Sequence, residues 1–443
     1  MWRNWAGDQS CLPAAVERPA STAEVVAAVE RAAAAGRHVR AAGSGHSFTG
    51  AALSDGTLVL PQRMDRVLDA DRATGLVRVQ GGITLHALNE RLAALGLAFE
   101  NLGDVDAQTL AGALATGTHG TGASLRNLSA GVAAMQLVTA AGEVREIDGG
   151  DLLRAARVSL GTLGIVTEVT LRCVPAFTLR GVDAKAPLDA VLATLDERAA
   201  RHRHFELYVF PHARTALIRA NDVVEGPPRP RGRARAYAED VLLTNRALHA
   251  VCLAGRAVPR AIPALNRFAT RAAGSSVRVD RSDRIFASPR LVRFTEMEYA
   301  LPRAALPEAL PAIKAQAERH PVNFPIEMRL VAGDEALLSP ACGRDTAYVA
   351  VHAFRGMPWE PYFRAVEEIA DAHDGRPHWG KRHFQTAATL APRYPEWARF
   401  AAARAELDPG GLFTNAYTDR VLGPAGALSP PGEAPRTPAG SAG

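Results

Sequence analysis

The apolar positions of this chain recur with two different periods, and the changes of period predict where helices and strands lie. Apolar residues from Val25 to Ala33 recur at helical spacing. A Ser21–Glu24 capping box precedes them and Gly36 follows, so we predict a helix between these signals. Other stretches predict strands at 38–41, 57–60, 165–171, 204–210, 292–299 and 345–354, hairpins at 67–80 and 132–147, and helices at 83–95, 107–115 and 361–372. Because hairpins are mixed among the helices, we predict an α+β fold.

Composition and charge narrow the class of protein. The chain has 443 residues, 47% hydrophobic and 22% charged, so it is long enough for two or three domains with ordinary globular cores. A net charge of +5 is modest for this length and indicates no nucleic-acid partner. No stretch resembles the apolar core of a signal peptide or reaches the length of a membrane span. These features predict a soluble protein with at most peripheral membrane contact.

The spacing of the four cysteines bears on metal binding, disulfide bonds and the cellular compartment. Cys11, Cys173, Cys252 and Cys342 are far apart, with no CxxC and no Cys/His cluster. This spacing indicates neither a zinc site nor a disulfide framework. It fits a reducing, cytoplasmic compartment.

A loop over residues 40–50 presents a histidine between small residues. Gly43 and Gly45 lie within three positions of His46 and carry no Cβ, so the backbone there can approach a bulky ligand closely. A histidine in that place is suited to be a nucleophile or a hydrogen-bonding group at the edge of a site. The alternative is an ordinary glycine-rich turn with an exposed histidine, and this loop alone does not decide between the two.

A second glycine-rich segment, residues 112–122, follows the predicted helix at 107–115. We expect the N-terminus of that helix to face the loop that holds Asp104 and Asp106, and such a terminus is a ready anion site. The glycines of 112–122 could then wrap backbone N–H groups around a pyrophosphate, the alternative being a flexible surface loop. The G-x-x-G turn at 161–164 is a further point of close approach, or else a tight turn without a ligand.

Three later segments carry polar residues suited to chemistry. Glu327 and Arg329 lie two positions apart in an alternating stretch, so they project from one strand face and could clamp a polyol or stabilise an anion. The alternative is a surface ion pair of little energetic value. His352 interrupts an apolar strand, either as a core histidine or as a general base. In the turn at 376–383, Lys381 could stabilise negative charge on a neighbouring redox ring.

These segments occur in an order that resembles a known family. The motifs are Gly43–Ser47, Gly117–Gly122, Ser159–Gly164, Glu327–Arg329 and His378–Lys381, with Asp408–Asn415 near the C-terminus. Together they closely resemble the FAD-linked sugar-1,4-lactone oxidases and alditol oxidases of the vanillyl-alcohol oxidase superfamily, among them the L-gulono- and D-arabinono-1,4-lactone oxidases. The resemblance covers roughly residues 5–422.

The resemblance implies a two-domain α+β fold. An FAD-binding domain of the PCMH type would cover residues 1–178, and a substrate or cap domain would cover 179–422, with C-terminal segments that return to the flavin. The composition of residues 423–443, rich in Pro, Gly, Ala and Ser, predicts a disordered tail. We expect the protein to be a monomer.

The same resemblance implies roles for individual residues. His46 matches the histidine that is joined covalently to the flavin C8α methyl group. Glu327 and Arg329 match the pair that grips substrate hydroxyls beside flavin N5, and His352 and Lys381 match further active-site positions. The implied cofactor-binding residues are Ala42, Gly43, Ser44, Gly45, His46, Ser47, Gly103, Asp104, Gln108, Gly112, Gly117, Thr118, His119, Gly120, Gly161, Gly164, Ile165, Val166, His378 and Lys381.

The implied reaction is oxidation of a carbinol of a sugar 1,4-lactone of the gulono, galactono or arabinono type. Hydride passes to flavin N5, His352 or a water takes the hydroxyl proton, and O2 reoxidises the cofactor to give H2O2. An alditol oxidase, or a dehydrogenase with another electron acceptor, is the alternative. Asp104 stands where alditol oxidase carries a substrate-binding serine, so the polyol assignment is weakened. Gly103 stands where some relatives carry an alanine that hinders oxygen, so reaction with O2 is sterically allowed.

Two other classes of protein fit parts of the sequence. A nicotinamide enzyme could use the glycines of Gly43–Gly45 as the start of a dinucleotide fingerprint, but Phe48 occupies the third glycine position and no acidic residue follows at the usual distance. A non-catalytic carbohydrate-binding protein of the same fold would not require Glu327, Arg329 and Lys381 together. Both classes are therefore disfavoured.

Overall fold

The computed structural model describes residues 1–425, which form twenty strands and fifteen α-helices. The strands are β1 (Trp2–Arg3), β2 (Ser10–Cys11), β3 (Ala15–Glu17), β4 (Val39–Ala41), β5 (Thr57–Val59), β6 (Val67–Asp71), β7 (Leu76–Gln80), β8 (Leu97–Ala98), β9 (Val132–Val138), β10 (Val144–Ile147), β11 (Ile165–Arg172), β12 (Val174–Pro175), β13 (Thr178–Pro187), β14 (His204–Val209), β15 (Thr215–Val224), β16 (Ser276–Arg281), β17 (Phe294–Pro302), β18 (Ile326–Val331), β19 (Thr346–Phe354) and β20 (Arg376–Pro377).

The helices cover the sheets and connect them. They are α1 (Thr22–Ala34), α2 (Leu85–Ala94), α3 (Leu110–Ala115), α4 (Gly150–Ala156), α5 (Leu188–Ala193), α6 (Leu195–Arg201), α7 (Arg233–Ala236), α8 (Ala247–Ala257), α9 (Ile262–Ala272), α10 (Ser282–Phe286), α11 (Leu306–Arg319), α12 (Glu360–Ala372), α13 (Ala387–Leu390), α14 (Trp397–Leu407) and α15 (Ala416–Leu422), with a π-helical segment at Tyr237–Arg246 before α8. Within residues 1–425, no helix is both long and apolar enough to cross a bilayer. Most of the predicted tail, residues 426–443, lies outside the described residues.

A small parallel sheet with the strand order β3-β5-β4 holds the loop that carries His46. Helix α1 begins where the capping signal predicts, because the Ser21 hydroxyl accepts a hydrogen bond from the Glu24 N–H. The Glu24 carboxylate accepts from the N–H of Ala20 at 2.9 Å. Val25 and Val29 of α1 are buried in a core that the strands also line. The packing of β4 in this core therefore fixes the position where the loop begins.

The second sheet has five antiparallel strands in the order β10-β9-β11-β7-β6. Its core contains α2 and α3 and also residues from the C-terminal part of the chain, including Trp379, Leu390 and Tyr417. The Trp379 indole N–H donates to the Leu338 carbonyl at 2.6 Å. This packing fixes the turn that carries His378 and Lys381.

The third sheet has eight antiparallel strands in the order β16-β13-β15-β14-β18-β19-β17-β20. Helices α11 and α12 cover one face, where Met328 and Val351 join Ile313 and Val366 in a single core. Because side chains alternate along a strand, Glu327 and Arg329 project to the opposite face. The sheet therefore has an apolar side under the helices and a charged side toward the site.

The predicted α+β class is confirmed, and most of the predicted elements are present within a residue or two. Two differences matter. The helix predicted at 107–115 is shorter, Leu110–Ala115, with Thr109 as its N-cap. The long antiparallel strands β13, β15 and β16 were not predicted, because their alternation is interrupted by charged residues on an exposed face. The domain boundary near residue 178 remains a prediction.

Candidate active site

Two adjoining cavities meet at His46. The first, here called the groove, has a volume of about 1030 Å³ and is lined mainly by loop 40–52, residues 108–116 and turn 159–166. The second, the chamber, has a volume of about 1070 Å³ and is lined by residues 103–108 and 116–119, the charged face of β14, β17, β18 and β19, and turn 378–381. His46, Ser47, Gln108 and Thr116 line both. One elongated ligand could therefore extend from the groove into the chamber.

The groove offers a row of free backbone donors. The carbonyls of Gly43, Gly45 and Ser47 are held by hydrogen bonds from the Gln62 side chain, the Trp5 N–H and the Asn4 side chain, respectively. Within the described part of the chain, the N–H groups of residues 43–47 have no protein acceptor. Successive free N–H groups on a tight loop form an anion-binding concavity. This row fits the pyrophosphate of a dinucleotide cofactor.

The glycines of this loop are required by geometry. A Cβ at Gly43 would lie 2.0 Å from the Thr109 hydroxyl oxygen, and Gly45 has a φ of +72°. No carboxylate lines the groove within residues 1–425. Its charged side chain, Arg40, donates to the carbonyls of Ala51 and Leu160 instead of reaching for a ligand. The walls of the groove are thus mostly backbone and uncharged side chains. Such a groove fits an anionic ligand such as FAD.

The glycine-rich segment 112–122 does not act as predicted. The first N–H groups of α3, on Leu110 and Ala111, donate to the carbonyls of Ile83 and Gly81, so this helix N-terminus is not open to an anion. A pyrophosphate is therefore not expected at these two N–H groups, while a contact from Gly112 to the cofactor remains a prediction. Gly112 lines the groove and Thr118 and His119 line the chamber, but Ala42, Gly117 and Gly120 line neither cavity. Those last three residues are left out of the site that we propose.

One wall of the chamber is an arginine surrounded by carboxylates. A guanidinium nitrogen of Arg329 forms an ion pair with Glu327, a second contact reaches Asp104 at 3.3 Å, and Nε lies 3.0 Å from Glu206. Burial alone would lower the pKa of Arg329, but Glu327 and Glu206 outweigh it and raise the pKa. Arg290 forms a further ion pair with Asp104. This network can orient several hydroxyl groups of a sugar at once.

The sheet register explains how this wall is assembled. Glu206 on β14 stands opposite Arg329 on β18, and Tyr208 stands opposite Glu327. The Tyr208 hydroxyl donates to the Glu206 carboxylate at 3.0 Å. Asp104 comes from a loop far away in sequence and completes the cluster. The predicted pairing of Glu327 and Arg329 on one face is therefore present, within a larger network.

A second charged group is built on β17. The Glu296 carboxylate forms an ion pair with Lys381 and lies 3.5 Å from His352 Nε2. Burial alone would raise the pKa of Glu296, but Lys381 and His352 outweigh it and lower the pKa to about 2. The His352 ring is oriented by the Pro325 carbonyl, 3.2 Å from Nδ1. Glu296 therefore carries a negative charge between two groups that the sequence singled out.

Glu298, two residues further along the same strand, makes a similar group with two histidines. Its carboxylate lies 3.2 Å from His119 Nε2, and the site formed with His378 has the geometry of a candidate cation site. Burial alone would raise the pKa of Glu298, but His119 outweighs it and lowers the pKa. His378 Nδ1 accepts from the Gly380 N–H, so in its neutral form the ring carries its proton on Nε2. Because that nitrogen is protonated, we assign no metal to this cluster.

His46 is neutral in its surroundings. Its ring stacks on Trp5 with centroids 5.5 Å apart. Burial lowers the pKa of His46 to about 4, and the positive charges of Lys381 and Arg293 add to this effect. At neutral pH one ring nitrogen therefore keeps a free lone pair at the junction of the groove and the chamber, as a nucleophile requires.

Several residues of the chamber were missed in the sequence. They are Trp5, Glu206, Tyr208, Arg290, Glu296 and Glu298. A usable signal was present for the last two, because Glu296 and Glu298 alternate with apolar neighbours as Glu327 and Arg329 do. Arg290 lies in an irregular segment between α10 and β17 and carries no comparable pattern.

Comparisons with known proteins agree with this geometry. Residues 169–421 match the family described as D-arabinono-1,4-lactone oxidase, and residues 13–148 match an FAD binding domain. The L-gulono-1,4-lactone dehydrogenase of Mycobacterium tuberculosis is 50% identical over 96% of this chain and 99% of its own length. The L-gulonolactone oxidase of Bos taurus is 33% identical and the alditol oxidase of a Streptomyces species 34% identical, each over 95% of this chain and 98% of its own length.

Among solved structures, a solvent-stable cholesterol oxidase superposes with a TM-score of 0.81 at 20% identity, covering 94% of this chain and 96% of that chain, which shows a shared fold. The fold, the backbone-lined groove and the charged chamber define an FAD-dependent oxidoreductase of the vanillyl-alcohol oxidase type. The predicted cofactor and enzyme class are confirmed. More particularly, the chain belongs to the D-arabinono-1,4-lactone oxidase family, the family that its motifs resemble.

Proposed function

We propose that this protein oxidises a carbinol carbon of a sugar 1,4-lactone, of the gulono, galactono or arabinono type. The observation that carries this proposal is that the Arg329 network, His352 and Lys381 line one chamber, which adjoins the groove at His46. FAD bound in the groove would supply the hydride acceptor and pass the electrons on to O2 or another acceptor. The names of the relatives support a lactone as substrate.

The chain's own residues have separable roles in this proposal. Glu327, Arg329 and Asp104 bind and orient the ring hydroxyls. His352 takes the proton from the hydroxyl that is oxidised, because its Nδ1–H is held by the Pro325 carbonyl and Nε2 is free to accept. Glu296, 3.5 Å from that nitrogen, stabilises the imidazolium that results. This is the logic of a base oriented by one partner and stabilised by another.

Lys381 supplies a fixed positive charge at the junction. It forms an ion pair with Glu296 and stands 5.5 Å from the centre of the Phe48 ring. We assign it the stabilisation of negative charge on the cofactor ring. Lys381→Met should slow flavin reduction by the best lactone by about a hundredfold, roughly what a well-placed charge contributes. An unchanged rate in stopped-flow measurements under nitrogen would contradict this role.

We also propose a covalent bond from His46 to the flavin, which the neutral ring at the junction supports. Acid precipitation tests it: a yellow pellet is expected from the native protein and a colourless one from His46→Ala. Flavin in the supernatant of the native protein would contradict the bond but leave the flavoenzyme. A folded preparation without any flavin would contradict the proposed function itself.

The substrate and the electron acceptor are tested together. Gulono-, galactono- and arabinono-1,4-lactones are compared with xylitol and sorbitol, with O2 and with an artificial dye as acceptor. We expect the lactones to reduce the flavin faster than the polyols. The 50% identical relative is named a dehydrogenase, so we expect faster turnover with the dye than with O2. Faster reduction by polyols would favour an alditol oxidase instead.

The same proposal takes the protein to be a cytoplasmic monomer that binds no nucleic acid. All four cysteines are free, and Cys173, Cys252 and Cys342 are buried, as a reducing compartment permits. Light scattering of the purified protein measures its mass, and a dimeric mass would contradict the monomer.

A further inference from the structure

A short irregular segment, residues 287–293, borders the chamber between α10 and β17 and is here called the strap. It brings Arg290 to the chamber wall. Before Arg290, the N–H of Ser288 donates to the Asp104 carbonyl at 3.0 Å. After it, Val292 is buried in a small hydrophobic core. The strap is therefore fixed at both ends although it forms neither helix nor strand.

A single buried side chain holds the strap on both sides of Arg290. The Asn245 amide donates to the Pro289 carbonyl at 3.0 Å, and its oxygen accepts from the Leu291 N–H at 2.9 Å. The same amide donates to the Asp240 carbonyl at 2.7 Å, five residues earlier in the π-helical segment. Of the residues of that segment, which are all described, Asn245 alone is buried. Helical turns of this kind are rare and are frequent at functional sites.

The two arginines of the chamber differ in how many of their donors are already used. Arg329 contacts three carboxylates, and its side chain is 8% exposed. The Arg290 side chain is 31% exposed, and among the described residues its guanidinium contacts one acceptor, the carboxylate of Asp104. A guanidinium has five N–H donors, of which one carboxylate takes at most two in a bidentate pair. Arg290 therefore keeps free donors at the chamber wall.

We propose that Arg290 donates to the carbonyl oxygen of the lactone and so distinguishes lactones from polyols, with Asn245 as the residue that positions it. This inference rests on the proposed function. A carbonyl oxygen only accepts hydrogen bonds and so needs a donor such as arginine, whereas hydroxyl groups can also donate to the carboxylates of the chamber. A ring-opened aldonate fits less well, because four carboxylates and three cations line the chamber among the described residues and a further negative charge would be repelled.

Arg290→Met tests the proposed contact. The two ligands are the best lactone of the panel and the matching 1,4-anhydroalditol, which has the same ring and hydroxyl groups but a CH2 group in place of the carbonyl. For the lactone, we expect the half-saturating concentration in flavin reduction to rise by about thirtyfold, the usual worth of a hydrogen bond to a charged group, and the limiting rate to change far less. Asp104 keeps Arg329 as a partner, so the inhibition constant of the anhydroalditol should change little.

Arg303→Met is the control, because the Arg303 side chain is 24% exposed and paired with Asp196 outside the chamber, and it should leave both constants as they are in the native protein. Flavin content confirms that each variant is folded. Equal losses of affinity for the lactone and the anhydroalditol would mean that Arg290 holds hydroxyl groups, which overturns the inference and leaves the proposed function standing. If no lactone reduces the flavin of the native protein, the proposed function fails and the inference with it.

A double-mutant cycle tests whether Asn245 acts through Arg290. Asn245→Ala removes both hydrogen bonds to the strap, so we expect the half-saturating lactone concentration to rise by about tenfold, with the anhydroalditol again little changed. In the Arg290→Met background the same change should add almost nothing, because the group that Asn245 positions is gone. Asn266→Ala is the control, since that buried amide donates to the Val322 carbonyl, outside the strap. A full additional tenfold loss in the double variant would contradict the positioning role.

Discussion

The groove and the chamber share His46 but bind by different means. The groove uses backbone N–H groups and glycines, and no carboxylate lines it within the described residues. Four carboxylates line the chamber, from Asp104, Glu296, Glu298 and Glu327, together with the cations of Arg290, Arg329 and Lys381. A backbone site needs few particular side chains, whereas a buried charge network needs all its members. Removing one member leaves the others buried and unpaired, which costs about 3–5 kcal/mol.

The largest effect is therefore expected in the chamber. Arg329→Met leaves Glu327 without a cation, while Asp104 keeps Arg290 and Glu206 keeps Arg219. Because the variant also loses the group that would hold the substrate hydroxyls, we expect kcat/KM to fall by about a thousandfold, the loss of about 4 kcal/mol. Steady-state kinetics measures this, and flavin absorbance should show that the groove is still loaded. The control is Arg376→Met, because Arg376 is 5% exposed against 7% for Arg329 but binds only carbonyls outside the chamber. Equal losses in both variants would mean that burial, and not the chamber, explains the effect.

A smaller effect is expected for Glu296→Gln. The change removes the counter-charge of Lys381 and the group that stabilises protonated His352. We expect flavin reduction to slow by about a hundredfold, the usual contribution of an oriented general base. Glu296→Asp should recover part of the rate. Glu367→Gln changes a carboxylate that is buried against Tyr299 outside the chamber, and it should leave the rate unchanged.

The corresponding test of the groove is Gly43→Ala. The new Cβ would lie 2.0 Å from the Thr109 hydroxyl oxygen, so the loop or the helix must shift. We expect the flavin content to fall by about tenfold, because overpacking of this kind costs on the order of 1–3 kcal/mol. Thr109→Ala in the same chain removes that oxygen and should restore much of the content, while Thr109→Ala alone serves as control. If the double variant stays empty, the close approach of these two residues does not explain the glycine.

The smallest effect links the two cavities. In flavin-free protein, burial lowers the pKa of His46 to about 4 and Lys381 adds to this, so Lys381→Met should raise that pKa by about half a unit to one unit. Because the folded pKa lies below the usual 6.5, the unfolded chain binds more protons between these values. His46 therefore costs stability as pH falls from about 6.5 to 4, and the variant should lose less. Histidine NMR titration measures the pKa, and an unshifted value would mean that the charge of the chamber does not reach the groove.

The elements of the groove could be predicted because each is local in sequence. Gly43, Gly45 and His46 lie close together in sequence. The two glycines have no Cβ, so they permit a close approach of backbone and ligand. The glycines of 112–122 look alike in sequence, but only Gly112 lines the groove, and Gly120 serves packing. A Cβ at Gly120 would lie 2.2 Å from the Asn101 side-chain oxygen, so that glycine allows two segments to cross. Local composition does not distinguish these two uses of glycine.

The chamber could be predicted only in part because it is assembled across strands. Glu327 and Arg329 were found from alternation within one strand. Glu206 joins the charged network because β14 pairs with β18 in this register, and Arg290 joins it from the segment between α10 and β17. Neither contact can be predicted from a short stretch of sequence. The sequence therefore indicated several of the polar residues that line the chamber but not the carboxylates that surround them.

The position of His46 between two cavities also bears on how the protein unfolds. A cofactor that spans both cavities contacts loop 40–52 on one side and the turn 378–381 beside the eight-stranded sheet on the other. Its binding free energy then stabilises both separately built cores at once. We therefore expect the loaded protein to melt at a higher temperature than the flavin-free chain, with its cores opening together. Besides accepting hydride, the bound cofactor would thus couple the unfolding of the two cores.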